Sequence, residues 1–344
     1  MKTITKGKNM NNFKKVGLSA LAGSLAAISA NAAEMTVSGA SVLTYTTEGP
    51  KEVTGNRFGM KTNIGFTASG EVNGYTVSYM QTTADQFAGM SSARLSVDMG
   101  DMGTIAFDQG SGSGLATIDD KTPTAAEEIW DGLGTATTYV GGRVGAAGSS
   151  GVFNYVNTFG DVSFNGAFRS GAGVNSSDGS SGGSASDNGT AWDFALTTDG
   201  ANIGLDGFSV GAGYGEADGG DAKDTRPGGD DEHMTAFANY SFGPATFGYQ
   251  VSNIDKGKAA SSDQEATRWG LAVNVNENLS VSYGESSVTY AKPSATHIDE
   301  ETSGIAVAYT MGSMKIAGNR NESENIGGAG GSDSMMEIAL SFAF

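Results

Sequence analysis

The sequence predicts an all-β chain closed into a transmembrane antiparallel β-barrel of about 16 strands. Three observations carry this. Segments of about ten residues alternate apolar and polar side chains with period two. After the first 32 residues no window approaches the ~18 consecutive apolar residues of a membrane-spanning helix. Short turns alternate with long polar connections along the chain, as they do between the two ends of a membrane barrel.

Composition supports the first point and excludes several kinds of chemistry. The 344 residues include 53 glycines, 5 prolines, 2 histidines and no cysteine. Glycine this dense, with little helix-forming Leu, Lys or Glu, favours one large β body. Without cysteine there is no disulfide framework, thiolate metal site or thiol nucleophile. Lys and Arg number 20 against 38 Asp and Glu, a net charge of -18, which argues against nucleic acid as a partner.

Residues 1–32 read as a secretory signal. Lys2, Lys6, Lys8, Lys14 and Lys15 form a basic start, Val16 to Ile28 is apolar, and Ala30-Asn31-Ala32 supplies the cleavage pattern. Met1 or Met10 would serve as the start. The apolar run is too short to span a bilayer. Five of the 20 basic residues and none of the acids fall here, so the mature chain, 33–344, carries 15 positive and 38 negative charges, net -23. An exported chain without cysteine suits the bacterial envelope.

The strands follow in order. Phe58, Met60, Ile64 and Phe66 alternate with Gly59, Lys61, Asn63 and Gly65; Leu95, Val97 and Met99 with Arg94, Ser96 and Asp98. Val162, Phe164 and Phe168 alternate with Ser163, Asn165 and Arg169; Trp269, Leu271 and Val273 with Arg268, Gly270 and Ala272. A soluble sandwich has the same period. Two features favour the membrane barrel: the non-apolar faces are small as well as polar, with arginines at strand interiors, and aromatics such as Tyr75, Tyr79, Tyr155, Trp192, Tyr214, Tyr240, Tyr283 and Tyr309 sit near strand ends. In lipid every backbone group must pair internally, so such a sheet must close. Short turns are expected at 69–74, 100–103, 159–161, 243–244, 276–278 and 311–313. Long connections are expected at 46–56, 82–91, 109–150, 170–190, 216–232, 252–266, 285–303 and 319–334.

Over the whole mature chain these patterns resemble the general, non-specific porins of Gram-negative bacteria, most closely the alphaproteobacterial type. The last segment, Met336 to Phe344, alternates and stops on an aromatic; with Phe342, Phe344 resembles the signal read by the barrel-assembly machinery. Ala33 to Gly39 is similar to the family's first strand, and Ala106-Phe107-Asp108-Gln109-Gly110 leads into a third loop like the one that folds into a porin lumen. The resemblance implies an outer-membrane homotrimer, set in lipid and lipopolysaccharide, whose water-filled barrels pass small hydrophilic solutes and ions. It implies no enzymatic activity and no cofactor.

The third loop carries Asp119, Asp120, Glu127, Glu128 and Asp131 with a single lysine, Lys121. Read alone these are a solvated acidic surface loop; under the resemblance they form the pore constriction, with a helical turn at Ala125 to Trp130. Arg57, Lys61 and Arg94 have lumenal parity and supply the facing basic cluster. Carboxylates opposite cations would set a transverse field that screens solutes without holding them. Arg143, Arg169, Arg268 and Lys315 either reach lumenal water or snorkel at strand ends. The acids from Asp218 to Glu232 read as an outer loop, with bound calcium as the alternative. His233 and His297 have no evident partner. By charge count the expected selectivity is weakly cationic. The competing function is a substrate-selective channel on the same barrel, for which Trp130 is the one sequence feature.

Overall fold

The computed structural model describes residues 34–47, 55–83, 90–134, 141–148, 150–171, 189–218, 230–257, 263–291 and 298–344. The expected signal segment, His297 and most of the acidic 216–232 stretch lie outside these. The described residues form sixteen strands: β1 (Glu34–Thr47), β2 (Phe58–Val72), β3 (Tyr75–Thr83), β4 (Met90–Asp98), β5 (Thr104–Gln109), β6 (Ser150–Phe159), β7 (Val162–Arg169) and β8 (Ala191–Asp199) make one half. The other half is β9 (Phe208–Ala217), β10 (Asp231–Phe242), β11 (Ala245–Asp255), β12 (Asp263–Asn274), β13 (Leu279–Ala291), β14 (Glu300–Met311), β15 (Met314–Ile326) and β16 (Gly331–Ala343). Each strand pairs antiparallel with its sequence neighbours, and β1 pairs with β16, so the sheet is a closed barrel.

Closure is made by the two ends of the chain. Leu43 lies opposite Leu340 and Tyr45 opposite Ile338. Gly39 and Phe344 exchange both backbone hydrogen bonds, at 2.8 and 2.9 Å. A side chain at Gly39 would begin 2.6 Å from the Phe344 ring, so glycine leaves the space that ring occupies. The β1 start pairs with the end of β2, next to the Asn73-Gly74 turn, so Glu34 and Phe344 share one rim with the short connections. In that turn φ is +53° at Asn73 and +84° at Gly74, the left-handed pair that matches the twist of a two-residue hairpin.

The side chains divide as the alternation requires. The outward face is apolar and exposed, with Met35, Val37, Leu43, Phe58, Met60, Phe66, Leu95 and Ile305 among its members. The other face is polar and small; on β10, exposed Met234 alternates with buried His233 and Thr235. A soluble sheet would bury the apolar face, so this arrangement needs lipid outside.

The strands run further than hydropathy suggests. The connections expected at 285–303 and 319–334 are largely β13 to β16: Glu301 pairs with Glu324 and Glu322 with Ser334. Glu301, Glu322 and Glu324 there are exposed, and where a strand's outer face meets water, backbone pairing continues without apolar alternation. β15 and β16 are joined by a turn with Gly327, Gly328 and Gly330 at positive φ. A seventh short connection, 200–207, lies between β8 and β9 and includes a 3-10 turn at Gly200–Ile203.

Candidate pore site

The connection between β5 and β6 carries most of the candidate site. Its first turn is built on Asp108, fully buried, whose carboxylate accepts the Ser111 backbone N–H at 3.0 Å and the Ser113 hydroxyl at 2.7 Å. Gly110, Gly112 and Gly114 then take positive φ and a 3-10 turn runs Gly114–Ile118. Both ends of the connection meet at Asp193 on β8. One carboxylate oxygen accepts Leu115 N–H at 2.9 Å, the other Ala147 N–H at 2.8 Å. Leu115, Ile118 and Val144 pack on Ala195, Phe237 and Ile254 in a small apolar cluster, so the roots are held by burial as well as by hydrogen bonds.

Between the roots the segment crosses strand after strand. Gln250 on β11 accepts Lys121 N–H at 2.7 Å and donates to the Ile118 carbonyl at 2.8 Å. Asn239 on β10 donates to the Lys121 carbonyl, and the Ser282 hydroxyl on β13 accepts Ala125 N–H. Asn321 on β15 donates to the carbonyls of Glu128 and Asp131, and Asp333 on β16 accepts Gly134 N–H. The return leg is held by Glu300 and Gln264, which accept Gly141 and Gly142 N–H, and by His233 Nδ1, which accepts Gly145 N–H at 3.2 Å. All of these strand side chains lie on the polar face of the sheet.

Four of the five loop acids occupy distinct settings. Asp120 accepts Thr122 N–H and Oγ1 on one oxygen and the Trp130 indole N–H, at 2.9 Å, on the other. Burial pushes the Asp119 carboxyl above its ordinary range and neighbouring Asp120 adds to the rise; the Asp120 N–H and the cations Arg143 and Arg268 oppose it. Burial likewise raises Glu128, helped by the charges of Asp120, Glu127 and Asp131. Glu127 is exposed. Residues 125–132 form bends and turns, closed by Asp131 N–H on Glu128, in place of the expected helical turn. The guanidinium of Arg143 lies 4.1 Å over the Trp130 ring.

The three expected lumenal cations separate. Lys61 is an electrostatic neighbour of Glu337 on β16, as are Glu127 and Asp131. Arg94 sits at the loop root, bonded to Asn154 and 3.9 Å from the Asp108 carboxylate. Through Met80 it registers with Thr67 on β2, six residues from Lys61, which is about 20 Å along the strand. Arg57 precedes β2 and reaches Tyr45 Oη and Thr47 Oγ1 on the apolar face, where Tyr45 packs on Phe58. Side-chain length let it turn over the rim despite its parity.

Other expectations also change. Arg268 neither reaches lumenal water nor snorkels. It is 1% exposed and donates to the Gly141 and Gly142 carbonyls. His233 has a partner, as noted. The anchors Asp193, Gln250, Glu300 and Asp333, and the wall carboxylate Glu337, were not legible as site residues. Each is one polar residue on a strand's polar face, and only the path of the connection singles it out. Among the described residues no group of three or more His, Asp or Glu is arranged for a metal ion. Of the acids from 218 to 232, Asp231 takes Lys256 at 3.1 Å, and Asp221 and Asp224 lie outside the described residues.

A closed barrel with an apolar exterior and a polar, charged interior defines a membrane-spanning channel protein. The model of the Gram-negative porin family matches residues 17–325, and the chain belongs to that family. No curated protein matches. Among solved structures, a porin refined at 1.8 Å is 16% identical with a TM-score of 0.62, over 90% of this chain and all of that one. The anion-selective porin of Comamonas acidovorans (12%, TM-score 0.62) covers 91% of this chain and 100% of its own. OmpF of Salmonella typhi, in complex with daunomycin (13%, TM-score 0.62), covers 91% and 98%. At these identities the likeness is one of fold. With the family it makes the chain a passive channel of the outer membrane.

Proposed function

We propose that the protein is a general diffusion porin in which the described parts of the β5–β6 connection, 110–134 and 141–148, fold into the barrel and form its narrow section, with weak preference for cations. One observation carries this. The segment's hydrogen-bond partners lie on β7, β8 and on every strand from β10 to β16, all on the polar face. A connection lying outside the rim could not reach side chains so far around the circumference. Asp119, Asp120, Glu127, Glu128 and Asp131 would then line the waterway, with Lys61 opposite and Arg94 at the root. The acids outnumber the cations, so the vestibule concentrates cations at low ionic strength.

Single-channel recording in a planar bilayer tests the reading. Stepwise openings whose conductance rises with salt and is not blocked by millimolar sugars are expected. Saturable block by one solute class would instead favour the substrate-selective channel, for which the Arg143–Trp130 pair offers a stacking surface.

The remaining readings follow the family. Residues 1–32 would direct export and be cleaved. The barrel would assemble as a homotrimer in lipid and lipopolysaccharide, with calcium at the acidic 218–232 stretch as the alternative to a plain outer loop. Phe344 and Phe342 would be read by the barrel-assembly machinery; both are exposed, Phe344 at 73%. Deleting Phe344 is expected to leave chain in the periplasm and to reduce heat-modifiable trimer several-fold on semi-native gels. Undiminished trimer would remove the assembly role.

A further inference from the structure

Four glycines stand directly opposite one another on the polar face of four adjacent strands: Gly248 on β11, Gly270 on β12, Gly284 on β13 and Gly304 on β14. The file continues at each end with an asparagine, Asn239 on β10 and Asn321 on β15. The segment 121–132 lies along it. Asn239 holds the Lys121 carbonyl; Asn321 holds those of Glu128 and Asp131. Between these pegs the chain descends onto the bare backbone. A methyl at Gly270 would stand 2.8 Å from the Pro123 carbonyl oxygen, and one at Gly248 would overlap the Pro123 ring. A methyl at Gly284 would be 2.9 Å from the Trp269 carbonyl oxygen and 3.2 Å from Ile129 Cγ2; one at Gly304 would be 2.5 Å from Asn321 Oδ1 and 2.9 Å from Ile129 Cγ2. No glycine of the file has positive φ, so none is required by backbone conformation.

We propose that this glycine file is the size-determining element of the channel: it fixes how deeply segment 121–132 seats against the wall, and hence how much of the cross-section stays open. The inference rests on the reading of 110–148 as the narrow section. The physical reason is steric. Heavy atoms sit about 3.5–4.0 Å apart at best contact. Alanine at Gly270 must therefore lift the segment by roughly 1 Å, and alanine at Gly304 pushes on Ile129 and on Asn321, the peg that holds the Glu128 and Asp131 carbonyls. The wall is a hydrogen-bonded sheet and cannot retreat, so the segment moves toward the pore axis. Two residues that never touch a solute would then set which solutes pass.

The experiment compares single-channel conductance and the exclusion limit for neutral polymers in Gly270→Ala/Gly304→Ala, in Gly318→Ala and in a chain lacking 116–132. In Gly318→Ala the new methyl has no neighbour closer than 3.6 Å. The double variant is expected to lose roughly a third of its conductance, with a smaller exclusion limit, while Gly318→Ala matches wild type. Adding Ile129→Ala to the double variant should recover part of the loss, since it removes the segment's side chain that meets residue 304 and leaves only Asn321 to adjust. Ile129→Ala alone places no new atom in the sheet and should raise conductance; it serves if the double variant does not fold. Wild-type conductance in both the double variant and Ile129→Ala, with a rise in the deletion, overturns the inference alone. A deletion that conducts as wild type overturns the narrow-section reading as well.

Discussion

Asp193→Ala is expected to release both roots of the β5–β6 connection at once. Its two oxygens serve Leu115 and Ala147, separated by 32 residues in sequence and joined through this one side chain. Both N–H groups are buried, and alanine gives neither a substitute. Each unsatisfied buried donor costs about 1–3 kcal/mol, so the connection should lose roughly 2–6 kcal/mol of local stability while the sheet, whose ladder is untouched, persists. Protease added to the detergent-solubilised barrel should cut within 110–148 in the variant and not in wild type, and single channels should flicker. Asp193→Asn keeps one acceptor oxygen and is expected to fall between the two. An Asp193→Ala channel as quiet and protease-resistant as wild type would show that the apolar cluster of Leu115, Ile118 and Phe237 suffices to hold the roots.

The barrel itself was legible because its rule is local. In Phe58, Met60 and Phe66 against Gly59, Lys61 and Gly65, each residue declares its face from its two neighbours. The same rule failed where both faces meet water, so the ends of β13 to β16 read as loops. The acidic content of the third connection was equally plain. Its anchoring was not, because register is a sum over every turn and bulge. Gly248 and Gly304 are ordinary small residues until four strands are aligned, and Gln250 is an ordinary polar one until Lys121 arrives beside it. Arg57 shows the limit of parity: beside a strand end, a long side chain is free to choose its face.

Neutralising Asp119, Asp120, Glu127 and Glu128 together to their amides is expected to remove more than half of the cation preference, read as the reversal potential in a salt gradient. Lys61 and Arg94 would then act against fewer charges, and the preference should fall toward zero. The same loss should follow acidification, with a definite sign. Burial raises the carboxyls of Asp119 and Glu128 above their ordinary values of 3.8 and 4.5. As pH falls these two take up protons before the exposed acids do. Cation preference should therefore begin to fade above the pH at which solvated carboxylates titrate. In folding terms, acids that bind protons more tightly in the native state become less of a burden as pH falls through their raised values. A reversal potential unchanged in the amide variant would mean that these side chains do not border the current. Fading only in the ordinary carboxylate range would assign the preference to outer-loop acids.

The pairing of β1 with β16 has a consequence for how the molecule is made. Tyr45 and Ile338, opposite one another at the seam, are almost 300 residues apart in sequence. Joining ends that distant costs an unfolded chain about 5 kcal/mol of closure entropy, which is modest. The larger cost falls on every intermediate before the seam shuts. A sheet of fifteen strands in hydrocarbon would present two unpaired edges, each a row of N–H and C=O groups with no water to receive them. No half-built barrel is therefore a resting state in the bilayer, and the chain has no autonomous folding unit smaller than the whole. Synthesis must finish before insertion can, and the unpaired edges must be shielded until the C-terminal strand arrives.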